Sequence, residues 1–169
     1  MVEIRIHGRG GQGVKKSAQL IARACFLKGF YTQDFALYGS ERRGAPVTSF
    51  VRVSEKPIDT RGYVFEPDFI IILDESVSEE MCLKGKTSKT KIIVNGAGFC
   101  NVDASKIAIK HFGKNIPNIA LLGAFAKVSK LFTLEDLKNA VEAELGHKGK
   151  GVVSKNMLAA KECYEEVRC

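Results

Sequence analysis

The apolar positions of this chain change period along its length, and each change marks an element. Residues 2–7, Val-Glu-Ile-Arg-Ile-His, alternate apolar with polar as a strand does. After a run of glycines, Val14, Ala18, Ile21, Ala22 and Cys25 recur at the spacing of one helical face, which leaves Lys15, Lys16, Gln19 and Arg23 for the wetter faces. The helix they predict stops at Lys28-Gly29, a cation followed by a glycine. Residues 30–35 read as a short half-polar strand and residues 47–53 as a half-exposed one, followed by a turn at Ser54-Glu55-Lys56-Pro57. Residues 68–74 are continuously apolar between two aspartates, and residues 91–95 repeat the pattern; both are expected as strands covered on two faces of a parallel sheet. Between them, residues 76–83 predict a short helix. From Ile119 the period is helical again through Leu121, Leu122, Phe125, Val128 and Leu131. Thr133-Leu134-Glu135-Asp136 then resembles a capping box ahead of Leu137, Val141 and Leu145. Gly146 ends that helix, residues 146–151 form a lysine- and glycine-rich link, and a last helix begins near Ser154.

Strands alternating with helices predict an α/β fold, a Rossmann-like three-layer domain with a mainly parallel sheet flanked by helices. At 169 residues and 45% hydrophobic content the chain suits one ordinary core, so residues 1–169 are expected to form a single domain. No apolar run is long enough to span a bilayer, and the first residues carry a strand pattern in place of a basic and then apolar leader, so the expected location is the cytoplasm, away from membranes. Five cysteines, Cys25, Cys82, Cys100, Cys163 and Cys169, are scattered without a C-x-x-C pair or a neighbouring histidine, which leaves no adjacent ligands for zinc or for an iron–sulfur cluster.

The formal charge of +7 is unevenly spread: residues 1–56 hold ten Lys/Arg against four Asp/Glu, and the rest of the chain adds only +1. Within that basic third lies Gly8-Arg9-Gly10-Gly11-Gln12-Gly13, a G-x-G-x-x-G turn between a strand and a helix, where bare backbone N–H groups and the positive end of the helix dipole suit phosphate. The same glycines also serve a tight turn for its geometry alone. Asp34 falls at the distance where a dinucleotide site places a ribose-binding acid. A second constellation, Tyr38-Gly39-Ser40-Glu41-Arg42-Arg43-Gly44-Ala45-Pro46, sets two adjacent arginines in an aperiodic loop, suited either to gripping a carboxylate or phosphate or to bracing the loop against a glutamate. Nucleic acid is not the expected anion, because no aromatic-interleaved basic stripe accompanies the charge. No Ser-His-Asp or Cys-His spacing offers an activated nucleophile, and His7, His111 and His147 sit in no motif that names a base.

Taken together, His7-Gly8-Arg9-Gly10-Gly11-Gln12-Gly13, Tyr38-Gly39 and residues 41–47, Glu-Arg-Arg-Gly-Ala-Pro-Val, closely resemble the gamma subunit or gamma domain of the 2-oxoacid:ferredoxin oxidoreductases. The resemblance continues through residues 118–126 to Lys155-Asn156, nearly the whole chain. Its Glu-Arg-Arg-Gly-Ala-Pro wording looks like the pyruvate or branched-chain type more than the 2-oxoglutarate type, while Lys15-Lys16 and residues 34–37 depart from the commonest wording. The resemblance implies a complex that converts pyruvate, coenzyme A and oxidised ferredoxin to acetyl-CoA, carbon dioxide and reduced ferredoxin. It implies alpha, beta and delta partner subunits, with thiamine diphosphate between alpha and beta and iron–sulfur clusters in beta and delta. This chain would then bind no cofactor alone and would assist assembly and closure over coenzyme A, with Gly8, Gly10, Gly11, Gln12, Gly13, Arg42 and Arg43 as the contacting residues. The alternative from another class is a free-standing dinucleotide-binding protein that uses the glycine turn and Asp34.

Overall fold

The computed structural model describes residues 1–37 and 44–169. Strand β1 (Val2–Arg9) runs into α1 (Val14–Leu27), then β2 (Tyr31–Ala36), β3 (Pro46–Ser54), β4 (Phe69–Ile72), α2 (Glu79–Leu83), β5 (Lys91–Asn95), β6 (Cys100–Val102), α3 (Ala104–Phe112), α4 (Asn118–Ser129), α5 (Leu134–Leu145) and α6 (Lys150–Glu166). The six strands form one mixed sheet in the order β2-β3-β1-β4-β5-β6. β1, β4, β5 and β6 are parallel neighbours, which fits the continuous apolar runs of β4 and β5. β3 is antiparallel to both β2 and β1, so it lies between the first strand and the strand that follows α1.

The period of two sends alternate residues to opposite faces, and the two faces are furnished differently. Ile4, Ile6, Val51, Val53, Ile71, Leu73 and Ile93 join α1 and α3 to α6 in the main core. On the other face Ile70, Ile72, Ile92 and Val94 pack under Val77, just before the short α2, and Cys82 within it, so this third layer is thin. Toward β2 and β3 that face carries Glu3, Arg5, His7 and Arg52, with Phe35 stacked on Phe50 at 4.8 Å and Tyr63 a further 5.7 Å on. Arg52 is 1% exposed and donates to the Glu3 carboxylate (2.7 Å) and the Gln33 side chain (3.0 Å). Arg5 is also buried but has no carboxylate partner among the described residues; it donates to the carbonyls of Val64 (3.4 Å), Cys82 (2.9 Å) and Lys84 and thereby holds the covering segments down.

Helix α4 is buried nearly all round, as its apolar sequence requires, and its Gly123 lets it approach α6 closely: a Cβ there would run into the Ala160 carbonyl. Gly123→Ala is expected to lower stability by about 1–2 kcal/mol, the overpacking cost exceeding the gain in helix propensity. Urea unfolding of the variant checks this, and an unchanged midpoint refutes it.

The capping box forms as expected, Thr133 accepting from the Asp136 N–H and Asp136 from the Thr133 N–H, with Gly146 at the end of α5. Helix α6 begins at Lys150, earlier than the expected start near Ser154, because Gly146–Lys148 winds into a 3-10 turn that shortens the link. β6 and α3 are additions to the sequence reading, α3 being capped by the Asp103 side chain at one end and Gly113 (φ 68°) at the other. Cys100 and Cys169 are joined in a disulfide. Among the described residues no helix is long and apolar enough to cross a membrane.

Candidate functional site

The glycine turn follows from its local sequence. Gly8 is the buried end of the strand, and a Cβ there would press on Val14 of α1 and on Leu73, so glycine is required for helix and strand to meet. Gly11 (φ 93°) and Gly13 (φ 83°) take the left-handed conformation that side chains disfavour. Gly10 ties the turn to the far end of the arginine loop: its N–H donates to the Ala45 carbonyl (2.8 Å), and its carbonyl accepts from the Gly44 N–H (3.1 Å).

Two side chains of the motif are spent on bracing it. Gln12 accepts from the Arg9 N–H (2.8 Å) and donates to the Asp74 carboxylate. The Arg9 guanidinium donates to the Ser76 hydroxyl (2.6 Å), the Ser76 carbonyl (2.7 Å) and the Gly44 carbonyl (2.9 Å). Burial alone would raise the Asp74 carboxyl, but hydrogen bonds from Ser76 and Gln12 and the charge of Arg9 outweigh it and hold Asp74 below the usual range. The turn is therefore pinned to the end of β4 from one side and to the end of the arginine loop from the other.

Among the described residues the start of α1 carries no side-chain cap. Gly13 is its N-cap, provides no side chain, and the first turn holds no acid, so the N–H groups that precede the first intrahelical bond (Ser17 N–H to Gly13 carbonyl, 2.8 Å) lack a side-chain cap. Helix α4 starts beside it, also without a side-chain cap, and its first residue Asn118 is 5% exposed with its side-chain amide against the Gly13 Cα. Two helix N-termini and a buried amide thus converge on one point. Asn118 is not among the expected contacting residues; the Pro117-Asn118 pair opening a helix is the sequence signal that marks it. Just behind, Lys16 and Arg23 pair with Glu144 at 2.8 and 3.3 Å, and the hydrogen bond from Lys16 does most to hold the Glu144 carboxyl low.

Of the expected contacting residues, Gly8, Gly10, Gly11, Gln12 and Gly13 are gathered in this turn, Gly8 packed in the strand and Gln12 engaged at both ends of its amide. Arg42 and Arg43 lie outside the described residues. Asp34 is elsewhere. It pairs with Val51 of β3, which separates β2 from β1, and it sits on the α1 side near Lys15, where burial pushes its carboxyl up. A dinucleotide site needs the acid at the end of the strand next to β1, so the dinucleotide reading is corrected by the insertion of β3. His7 is buried beneath Arg5: its Nε2 accepts from the Arg5 Nε (3.0 Å), which leaves Nδ1 to carry the proton toward Thr48 Oγ1 (3.3 Å). Among the described residues no cluster of three or more His, Cys, Asp or Glu side chains is arranged to hold a metal ion.

Comparison with known proteins agrees with this architecture. Residues 3–166 match the family described as pyruvate ferredoxin/flavodoxin oxidoreductase. The chain is 36% identical to the pyruvate/ketoisovalerate oxidoreductases common subunit gamma of Pyrococcus abyssi, over 99% of this chain and 98% of that one. It is 38% identical to the pyruvate synthase subunit PorC of Methanocaldococcus jannaschii, over 99% and 97%. The crystal structure of pyruvate oxidoreductase subunit PORC (EC 1.2.7.1) from Thermotoga maritima superposes with a TM-score of 0.88 at 31% identity, covering 99% of this chain and 97% of that one. A 2-oxoglutarate:ferredoxin oxidoreductase from Magnetococcus marinus shares the fold, with a TM-score of 0.80 at 22% identity over 99% of this chain and 31% of that one. These full-length relatives are gamma, or PorC, subunits of multisubunit oxidoreductases. With its fold and 99% of its residues matched in this way, the chain belongs to the pyruvate ferredoxin/flavodoxin oxidoreductase family.

Proposed function

We propose that this chain is the gamma subunit of a pyruvate:ferredoxin oxidoreductase and that its glycine turn closes over the phosphates of coenzyme A. The complex oxidatively decarboxylates pyruvate with coenzyme A to acetyl-CoA, carbon dioxide and reduced ferredoxin. Thiamine diphosphate and the iron–sulfur clusters belong to the alpha, beta and delta partners, and this chain contributes binding. The observation that carries the reading is the N-terminus of α1 at Gly13, without a side-chain cap among the described residues or an acid in its first turn, and with the buried Asn118 amide beside it. Backbone N–H groups and the helix dipole hold phosphate without any proton transfer, which suits a site with no activated nucleophile. The 2-oxoglutarate oxidoreductase that shares the fold is described with coenzyme A and succinyl-CoA bound, in keeping with this reading. The Pyrococcus relative is named a common subunit for pyruvate and ketoisovalerate enzymes, which supports placing the choice of oxoacid in the partner subunits.

Arg42 and Arg43 extend the proposed phosphate contact, since Gly44 and Ala45, which follow them, are hydrogen-bonded to Gly10. A charge-assisted contact buried in the assembled enzyme is worth about 1.5–3 kcal/mol. In a complex carrying Arg42→Ala and Arg43→Ala, the KM for coenzyme A is therefore expected to rise roughly tenfold or more while assembly and kcat at saturating coenzyme A hold. Weakened association with an unchanged KM would assign the arginines to the subunit interface, and no change in either would end the proposal for this pair.

A further inference from the structure

The five cysteines fall into two classes in the fold. Cys25, Cys82 and Cys163 are buried, and burial pushes their thiols up to about 12, about 11 and about 12. Cys100 and Cys169 are bonded to each other across a separation of 69 residues, Cys100 half-buried and Cys169 exposed. Their bond lies on the open edge of the sheet. β6 is three residues long, and Asn101 at its centre exchanges two main-chain hydrogen bonds with Arg168 (2.9 and 3.1 Å), so that the segment after α6 lies antiparallel along it. Asn101 also donates from its side chain to the carbonyls of Gly98 (2.6 Å) and Phe99 (3.1 Å), and the Ala97 N–H donates to Glu75 (2.7 Å). The same short strand therefore fixes the loop of residues 96–99, which closes a cavity of about 250 Å³ over Ile72, Val77, Cys82 and Val94.

We propose that the Cys100–Cys169 bond is a thiol-exchange site, a redox clasp that a dithiol reductant opens in the folded protein. One thiolate of the reductant attacks Sγ of Cys169, the more exposed of the two residues, and Cys100 departs as a thiolate that takes up a proton. The second thiol of the reductant then attacks the mixed disulfide, releasing the Cys169 thiol and leaving the reductant as its own disulfide. Two electrons and two protons pass to the protein. Without the bond, residues 167–169 are held by the Asn101–Arg168 pair, the Val167 N–H to Cys163 carbonyl bond (3.1 Å) and the buried Val167 side chain. Opening therefore frees a sheet edge that the segment otherwise covers and loosens the loop of residues 96–99. Burial keeps the other three cysteines out of the exchange.

The test uses the full chain equilibrated with oxidised glutathione, labelled with iodoacetamide in the native state before and after dithiothreitol, with amide exchange followed in parallel. No label is expected before reduction and two afterwards, on Cys100 and Cys169, with exchange at Asn101 and Arg168 faster by tenfold or more and exchange at Ile71 in the centre of the sheet unchanged. Cys169→Ser is expected to show the fast exchange at both edge amides without reductant. Labelling of Cys100 and Cys169 before reduction, reduction that requires denaturant, or reduction that leaves edge exchange unchanged would each overturn the clasp.

Discussion

Valine in place of Gly13 is expected to destabilise the protein by about 2–6 kcal/mol, the sum of two separable costs. The first is conformational: φ 83° is strained for a branched side chain, at about 1–3 kcal/mol. The second is steric, because the added carbon would meet the side-chain amide of the buried Asn118, and overpacking of this kind costs about 1–3 kcal/mol. Gly11→Val is the control: its φ of 93° carries the strain on an exposed residue. Denaturant unfolding should rank Gly13→Val well below Gly11→Val, and Asn118→Ala should restore part of the loss in the double variant. Equal midpoints for the two valine variants would mean that the close approach of α4 to the turn is not felt.

Acid is expected to unfold the protein in part through His7. Burial first, and the charge of Arg5 second, lower its imidazole from 6.5 to about 3. A folded-state value below the unfolded one means that between these limits the unfolded chain binds the extra proton, so stability is full above about pH 6.5 and is lost as pH falls toward 3. At about 1.4 kcal/mol per pH unit the full loss is on the order of 5 kcal/mol. The carboxyls held low in the fold, Asp74, Asp136, Glu144 and Glu162, add a loss of the same sign nearer their own titration, so the His7 contribution is read between about pH 4.5 and 6.5. His7→Gln keeps an acceptor for the Arg5 Nε and removes the titration. Its unfolding free energy should be nearly flat across that window, where the wild-type value falls. A variant slope equal to that of the wild type would remove His7 from the account.

Much of the fold is legible in short stretches of sequence because the forces that set it are local. The apolar period from Val14 to Cys25 and the Thr133 to Asp136 capping box each arise within a single helix, and both elements form as read. The glycine turn is legible for the same reason: backbone geometry at Gly11 and Gly13 is demanded within six residues. β6 and α3 left a weaker trace, since three strand residues and nine helical ones give little room for a period to show. The early start of α6 was hidden by glycines at 149 and 151, whose composition argues for a link, whereas Gly149 is the N-cap and Gly151 lies in the first turn of the helix.

What the sequence determined by itself is the set of local devices, the strand–turn–helix with its left-handed glycines, the buried parallel strands and the two-motif likeness that points to the family. What only the tertiary structure decided are the contacts between residues far apart. β3 enters between β1 and β2 and so takes Asp34 away from the turn; Asn118 arrives at Gly13 from another helix; Arg5 reaches carbonyls of Val64, Cys82 and Lys84; Cys100 meets Cys169. Each of these depends on which elements are neighbours, and neighbourhood is set by burying one face of every strand and helix at once, a condition on the whole chain that no single segment carries.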